Sequence, residues 1–317
     1  MLKDWATDDD MFISTRASNE VFKCINMQPS VTVTGNPGVG KTATMRSVAL
    51  KMKEKDYTVV PTNTPEDIRN FYKKGKRMLF VVDDVCGHYT VNPYRINKWE
   101  EMSQSIKSLL KNKWCKIIST CRLQIFNDVR FRNLPYFIDC ECNLNSDELC
   151  LTLEERSNLA LKYFEGKAGE VIPFTEEHDF FPLLCALYQK NNRVDIKSFF
   201  EKPFDLYTSE IDYLLASDCE KDQCKVCVLV LCIIFNNRFK EEYLTTEDNE
   251  IQLVIQSTLL KCKLSKGSSF EKLREALHTL EGNYVVKEDK VYRAIHDKLY
   301  DFLAYCFLGG NAGTCAK

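Results

Sequence analysis

The chain has 317 residues, of which 44% are hydrophobic and 28% charged, so it is an ordinary globular protein with room for two or three domains. Its formal net charge of −2 excludes the global basic field that nucleic-acid binding would favour. The first ten residues are acidic and lack an apolar core, which excludes a secretory signal of the usual kind, and no apolar run is long enough to span a bilayer. We therefore expect a cytoplasmic protein that does not associate with a membrane.

Fifteen cysteines lie scattered through apolar segments of the chain. In a long chain without an export signal, this pattern favours buried thiols in a reducing compartment over disulfides. A zinc site is the alternative, but zinc normally needs two well-spaced cysteine pairs, and one C-x-x-C is present in the apolar cluster. The cysteines concerned are Cys219, Cys224, Cys227 and Cys232, together with the C-x-C pair Cys140 and Cys142.

The most informative segment follows the apolar run at residues 31–34, which predicts a strand. It matches G-x-x-x-x-G-K-[ST], a loop whose backbone N–H groups cradle phosphates at a helix N-terminus. In this pattern the lysine reaches the β- and γ-phosphates and the hydroxyl residue binds Mg²⁺. A helix is predicted from Lys41 to Lys55, and Thr44 in its first turn is a further candidate for nucleotide binding. The loop residues are Gly35, Asn36, Pro37, Gly38, Val39, Gly40, Lys41 and Thr42.

Further strands and helices alternate down to about residue 145. Strands are predicted at residues 57–60, 77–84, 116–120 and 135–140, and helices from Thr64 onward and at 95–112. Residues 12–27 are predicted to be a short strand or loop followed by a helix. Thr64 followed by Pro65 is typical of a helix start. The alternation predicts an α/β fold, a doubly wound parallel sheet in a P-loop nucleotide-binding domain over residues 1–145.

Polar residues follow two of the buried strands, at the edge where ligands of open α/β sheets bind. Asp83 is the candidate Mg²⁺ ligand, acting through water opposite Thr42, and Asp84 is the candidate catalytic base. Thr120 and Arg122 end the next strand, and Arg122 could sense the γ-phosphate. The alternatives are a turn or helix cap for the two acids and a solvated loop residue for Arg122.

Beyond residue 145 the strand pattern disappears. We predict a helical domain over residues 146–218, with a capping box at Thr152. Residues 219–308 combine helices with a hairpin at 284–292 and a last helix at 296–307, which suggests a winged-helix-like domain. Residues 309–317 are predicted to be a tail.

The motifs, taken in order, resemble the STAND class of P-loop ATPases, which contains the NB-ARC and NACHT switches of innate immunity and cell death. They are the Walker A segment GNPGVGKT, the Walker B segment LFVVDD, then KIISTCR, FFPLL and IHDKLYDFL. More narrowly, FISTRASNEVF and TGNPGVGKT are similar to the third of the novel STAND NTPase families. The resemblance covers nearly the whole chain.

The resemblance implies a role for three residues besides the Walker motifs. Arg122 resembles the sensor-I arginine, Pro182 the proline that packs near adenine in the G-x-P motif, and His296 the histidine of the M-H-D motif, which touches the β-phosphate of ADP. Phe180 stands where the motif has glycine, and Ile295 where it has methionine. A helix N-terminal residue satisfied locally is the alternative interpretation of His296.

A member of this class is implied to be a two-state switch in signalling or defence. ADP would close the molecule, ATP would favour a self-associating state, and slow ATP hydrolysis would reset the switch, with Mg²⁺ as cofactor and a protein or ligand as trigger. One alternative is a working ATPase of the AAA+ kind. Another is a nucleotide-regulated winged-helix protein that binds nucleic acid, which is not expected because the basic residues of the hairpin are interspersed with Glu288 and Asp289.

Overall fold

The computed structural model describes residues 1–87, 91–190, 195–265 and 270–310. These residues form two compact units, Met1–Glu201 and Lys202–Lys317. The domain boundaries that we predict at residues 145 and 218 do not coincide with this division and stay predictions. Residues 311–317, which make up most of the predicted tail, lie outside the described residues.

A parallel sheet organises the first unit. Its strands lie in the order β2-β3-β4-β1-β5, and each pair of neighbours is parallel. Four of them correspond to strands predicted from the sequence, which confirms the α/β fold class. The strands are β1 (Ser30–Gly35), β2 (Thr58–Thr62), β3 (Met78–Val82), β4 (Cys115–Arg122) and β5 (Glu141–Asn143).

Helices cover both faces of this sheet, as a doubly wound fold requires. Phe80 and Val82 pack into one apolar core with Trp99, whereas Leu79 and Val81 face the opposite core. Alternate residues of one strand thus serve different layers because successive side chains point to opposite faces. The helices in chain order are α1 (Leu2–Asp9), α2 (Arg16–Met27), α3 (Lys41–Glu54), α4 (Pro65–Phe71), α5 (Pro93–Glu101), α6 (Ser103–Leu110), α7 (Leu123–Phe126) and α8 (Pro135–Ile138).

Two predicted elements differ from the structure. Residues 135–140 are not the fifth strand: Pro135 starts the short helix α8, and the strand comes later, at Glu141–Asn143. Proline is pre-organised for a first helical turn, and Tyr136 and Phe137 pack on Trp99 instead of pairing in the sheet. The helix predicted at 95–112 is divided into α5 and α6.

The first unit ends in a helical region with its own apolar core. Thr152 accepts a hydrogen bond from the N–H of Glu155, and the Glu155 carboxylate accepts one from the N–H of Thr152, so the predicted capping box is present. Phe181 and Phe200 are central residues of this core. The helices are α9 (Leu153–Phe164), α10 (Ala168–Val171), α11 (Phe181–Lys190) and α12 (Ile196–Glu201).

The second unit combines helices with a small antiparallel sheet of strand order β6-β8-β7. The predicted hairpin and last helix are present, and the winged-helix interpretation of this order stays a prediction. Cys224, Cys227 and Cys232 are buried core residues of one helix. Across both units, the residues that the structure describes include no helix of the length and apolarity that crossing a membrane requires. The elements are α13 (Asp205–Ala216), α14 (Glu220–Ile234), β6 (Phe239–Lys240), α15 (Asn249–Lys261), α16 (Phe270–Leu280), β7 (Val285–Glu288), β8 (Val291–Ala294) and α17 (Asp297–Ala304).

Candidate nucleotide-binding site

The predicted P-loop connects β1 to α3, the strand, loop and helix order that its motif requires. Gly38 and Gly40 have φ angles of +85° and +98°, in the left-handed region that favours glycine. Gly40 is the N-cap residue of α3, and Lys41 begins the helix. The loop therefore leads directly into a helix N-terminus, where free N–H groups and the helix dipole favour an anion.

Lys41 folds back over the loop. Its side chain is buried, and Nζ donates a hydrogen bond of 2.9 Å to the carbonyl oxygen of Asn36. Thr44, the other candidate in this helix, is 5% exposed and its N–H donates to the carbonyl of Gly40. The backbone N–H of Thr44 thus supports the first turn of α3, and contact of Thr44 with nucleotide stays a prediction.

Two predicted metal ligands lie side by side. The Thr42 hydroxyl donates a hydrogen bond of 3.0 Å to Oδ1 of Asp83. Thr120 donates to the same oxygen at 2.6 Å and accepts a hydrogen bond from the N–H of Asp84 at 2.8 Å. Thr120 therefore fixes both the carboxylate of Asp83 and the backbone after it. The sequence indicated Thr120 as a polar strand end but did not predict this positioning role.

The strand order explains why these groups meet. Strand β4 lies between β1 and β3, so its carboxyl end separates the P-loop from the two acids. Parallel strands end at one edge of the sheet, and residues after adjacent strands are neighbours there. Thr120 bridges toward Asp83, while Arg122 pairs in register with Gly35 at the start of the P-loop.

Burial raises the pKa of the Asp83 carboxyl above its ordinary value, and the negative charge of Asp84 raises it further. Hydrogen bonds from Thr120 and Thr42 and the positive charge of Arg46 act in the opposite direction. Solvent still reaches 39% of the Asp83 side chain, and this contact moderates the effect of burial. The Asp83 carboxylate thus lies close to the negative charge of Asp84 and is accessible to a cation from solvent.

Asp84 occupies a strained turn. Its φ of +47° is left-handed, a conformation that aspartate tolerates better than most residues, and its carbonyl accepts a hydrogen bond of 3.1 Å from Arg95 Nη1. The backbone of Asp84 therefore forms a turn, as the alternative interpretation of this residue expects. The role of its carboxylate as a catalytic base stays a prediction.

Arg122 is fully buried, with 0% of its surface exposed. The alternative in which it is a solvated loop residue is wrong, because strand β4 continues through it to the sheet edge. A guanidinium stays charged even when buried, so this position brings a permanent positive charge to the P-loop strand. Its role as a sensor stays a prediction.

Asn145 is a residue of this site that the sequence did not reveal. Its Oδ1 accepts a hydrogen bond of 2.6 Å from the N–H of Asn36, while Nδ2 of Asn36 donates to Asp179 at 3.3 Å. These bonds hold the first turn of the P-loop to the segment after β5 and to the segment before α11. A polar residue just past a strand end was the available signal, but the misplaced fifth strand concealed it.

The FFPLL segment contacts the opposite side of the loop. A Cβ atom at Gly38 would lie 2.6 Å from Cβ of Phe180 and 3.2 Å from a methyl group of Leu183. Pro182 lies in the first turn of the same helix, α11, and is half-buried. The structure thus brings the predicted G-x-P segment to the P-loop, with Phe180 in place of glycine filling the space beside Gly38.

His296 lies in the second unit, where it is the N-cap of α17. Its Nδ1 accepts a hydrogen bond of 2.9 Å from the N–H of Leu299. His296 Nδ1 is thus satisfied locally, as the alternative interpretation expects, and contact of the imidazole with nucleotide stays a prediction.

The donor set fits a Mg-nucleotide. Mg²⁺ prefers oxygen ligands and keeps several waters, so the Thr42 hydroxyl and one Asp83 oxygen suffice from the protein. Gly38 and Gly40 give the loop the curvature that exposes backbone N–H groups, and Lys41 supplies the cation. These residues would hold the phosphates and the metal that the motif implies.

Solved structures with partly similar backbones have low sequence identity to this chain. DnaA from Aquifex aeolicus bound to AMPPCP is 15% identical, with 92% of this chain and 90% of that chain covered and a TM-score of 0.38. The ORC2 protein of Aeropyrum pernix in ADPNP and ADP complexes is 8% identical, with 95% and 93% covered and a TM-score of 0.36. A DnaA bound to AMPPCP and single-stranded DNA is 15% identical, with 82% and 81% covered and a TM-score of 0.37.

No curated protein matches the chain. The model of the family described as Novel STAND NTPase 3 matches residues 12–165, an interval that contains the P-loop, both acids, Thr120 and Arg122. This match confirms the resemblance seen in the motifs. The match covers slightly less than half of the chain, and this part of the chain is similar to the Novel STAND NTPase 3 family.

Proposed function

We propose that the protein is an ATP/ADP-binding switch of the STAND type, in which slow hydrolysis of ATP resets a conformation that controls self-association in signalling or defence. In this proposal it acts in the cytoplasm and responds to a protein or ligand trigger. The site described above supports binding of nucleotide and Mg²⁺. The switch requires, in addition, that the state of the P-loop be transmitted to the rest of the chain.

The observation that carries the proposal is the contact of the P-loop with the first turn of α11 and with the residues just before it. Phe180 and Leu183 lie so close to Gly38 that even a methyl group there would collide with Phe180. Asp179 also accepts a hydrogen bond from Asn36 on the same loop. A change in the loop on nucleotide exchange would therefore displace α11. Such a contact supports a switch, because a ligand shifts an equilibrium only through differential interactions with two states.

The residues of the sheet edge would carry the chemistry. Lys41 and the loop N–H groups would hold the phosphates, and Thr42 with Asp83 would bind Mg²⁺, which neutralises charge on the β- and γ-phosphate oxygens. Asp84 would accept the proton of the attacking water, and Arg122 would respond to the γ-phosphate. Pro182 would pack near adenine and His296 would contact the β-phosphate of ADP in the closed state.

The hairpin of the second unit weighs against the alternative of nucleic-acid binding. Lys287 forms an ion pair of 2.7 Å with Glu241, and Arg293 forms one with Glu288. Two of its three basic side chains are thus paired with acids of the same unit, which reduces the positive charge available to a phosphate backbone. DNA binding that weakens steeply with salt and depends on Lys287 would instead favour that alternative.

The decisive measurement is the nucleotide content of the purified protein, together with its mass in ADP and in AMPPCP. We expect a monomer with bound ADP and a larger assembly with AMPPCP. Lys41→Ala should lose the nucleotide, with ADP affinity weaker by about 100-fold, because the charge-assisted contact to the phosphates is removed. Lys53→Ala removes the same charge from an exposed position on the same helix and should bind ADP normally.

Two results would contradict the proposal in different ways. ADP binding that survives Lys41→Ala would mean that the P-loop does not hold the phosphates. Rapid steady turnover with one assembly size in both nucleotides would instead favour a working ATPase over a switch.

A further inference from the structure

Arg46 lies between the proposed metal site and the N-terminal helix. It is four residues after Thr42 on α3, and residues at this spacing share a helix face. Its Nη2 is 3.9 Å from Oδ2 of Asp83, and its Nη1 is 3.7 Å from Oδ2 of Asp8. The guanidinium also lies over the ring of Trp5, 5.2 Å from the centroid. One cation thus contacts the Walker B acid and two residues of α1.

The two ion pairs are loose. Charge-assisted hydrogen bonds between nitrogen and oxygen are normally about 2.7–2.9 Å long, and both separations are well above that range. The Arg46 side chain is 34% exposed, so it has room to move. Trp5, in contrast, is buried and offers a fixed aromatic face. The guanidinium is therefore shared between Asp83 and α1, with neither partner holding it tightly.

The two oxygens of Asp83 have different partners. Oδ1 accepts hydrogen bonds from Thr42 and Thr120, whereas Oδ2 faces Arg46. A divalent cation bound by Thr42 and Asp83 would enter a region that already contains the Arg46 charge. Like charges at this distance repel strongly where solvent is partly excluded, so the two cations compete for one carboxylate.

We propose that Arg46 supplies the positive charge beside the Asp83 carboxylate when no metal is bound. Mg²⁺ would then displace the Arg46 guanidinium toward Asp8 and Trp5. Helix α1 then reports the state of the metal site and, reciprocally, sets its Mg²⁺ affinity. This inference rests on the proposed function, because it uses the Mg²⁺ site of Thr42 and Asp83. It concerns a helix that lies outside the family match, which begins at residue 12.

The test is a Mg²⁺ titration of the full chain with a fluorescent ADP analogue. Arg46→Met keeps the apolar stem and should tighten apparent Mg²⁺ binding by about 5-fold, because the competing charge is gone. Asp8→Asn should weaken it by about 2-fold, the scale of an exposed ion pair, since Arg46 then stays on Asp83. Asp8 is 71% exposed, so this variant does not challenge folding.

The coupling is measured by combining the variants. In the Arg46→Met background, Asp8→Asn should have no effect on Mg²⁺ binding, because its influence passes through Arg46. Asp9→Asn, which removes the same charge one residue away, should leave Mg²⁺ affinity unchanged. Addition of Mg²⁺ should also change the fluorescence of Trp5, obtained as the difference between wild type and Trp5→Phe.

Any one of the following results with the variants would overturn this inference while leaving the proposed function intact: weaker Mg²⁺ binding in Arg46→Met, an Asp8→Asn effect that persists without Arg46, or an equal effect of Asp9→Asn. A constant Trp5 signal during Mg²⁺ binding would do the same. If nucleotide binding by the wild type did not depend on Mg²⁺ at all, both this inference and the proposed metal site would be overturned. This outcome is distinguishable from the others because it is measured on the wild type, without any variant.

Discussion

The sheet edge of the first unit and the start of α17 in the second unit both contain residues that the sequence predicts to bind nucleotide, but they are built differently. At the sheet edge, Thr42, Asp83 and Thr120 come from separate elements and are joined by hydrogen bonds at one carboxylate. At α17, His296 caps its own helix. The local structure of any one element does not explain why the three side chains of the sheet edge meet at one carboxylate. At α17, by contrast, N-capping of the helix is sufficient to explain why a histidine occupies this position.

Gly38→Ala tests the closest contact of the sheet edge and should have the largest effect on stability. The substitution places a side chain at a φ of +85° and a Cβ atom 2.6 Å from that of Phe180, so we expect a loss of about 3 kcal/mol from strain and overpacking together. Gly40→Ala is the matched control: its φ is +98° but its Cβ would meet nothing within 4 Å. Gly40→Ala should lower the free energy of unfolding by about 1 kcal/mol. Denaturant unfolding measures this quantity for both variants.

A double variant separates the two contributions at Gly38. Phe180→Gly in the Gly38→Ala background removes the colliding Cβ and should restore the part of the loss that is due to packing. Equal losses in Gly38→Ala and Gly40→Ala would mean that α11 does not press on the loop. That result would remove the main support for transmission from the P-loop to the helical region.

Thr120→Val tests the hydrogen bonds that join the strands at this edge. The change keeps the shape of a fully buried side chain but removes a donor to Asp83 and an acceptor for the Asp84 N–H. We expect a loss of about 2 kcal/mol and weaker Mg²⁺ dependence of nucleotide binding, because a buried N–H is left without its partner. Thr120→Ser keeps the hydroxyl and should retain Mg²⁺ dependence. Identical Mg²⁺ titrations of the two variants would contradict the positioning role.

The sequence predicted this edge well where buried runs were long. Strands β1, β3 and β4 are buried along their whole length, and the polar residues at their ends meet because the strands are parallel. Strand β5 has three residues, too few for any pattern, and the apolar residues before it were mistaken for the strand. Asn145 was missed with it, because its contact with Asn36 depends on where β5 ends.

Tertiary contacts account for the rest of what the sequence did not reveal. The acidic N-terminus gave no indication that α1 would place Trp5 and Asp8 beside Arg46. Arg46 itself was an ordinary charged residue of a predicted helix. Its ion pair with Asp83 forms because α3 and the end of β3 lie side by side in the folded chain. Local sequence periodicity does not predict such contacts between distant segments.

His296 provides the smallest expected effect and the sharpest test of the comparison. His296→Ala removes the cap of α17 and should cost about 1 kcal/mol in denaturant unfolding of the full chain. His296→Ser restores a capping oxygen and should recover most of that stability. The two variants therefore differ in whether α17 has a capping side chain, while both lack the imidazole.

ADP retention then separates the two roles of the histidine. If His296 contacts the β-phosphate in the closed state, both variants should lose ADP several-fold faster than wild type, because serine replaces the cap and not the longer imidazole. If the residue acts only as a cap, ADP release should follow stability, with His296→Ser close to wild type. The second outcome would confine nucleotide binding to the first unit, and closure would then need a contact other than His296.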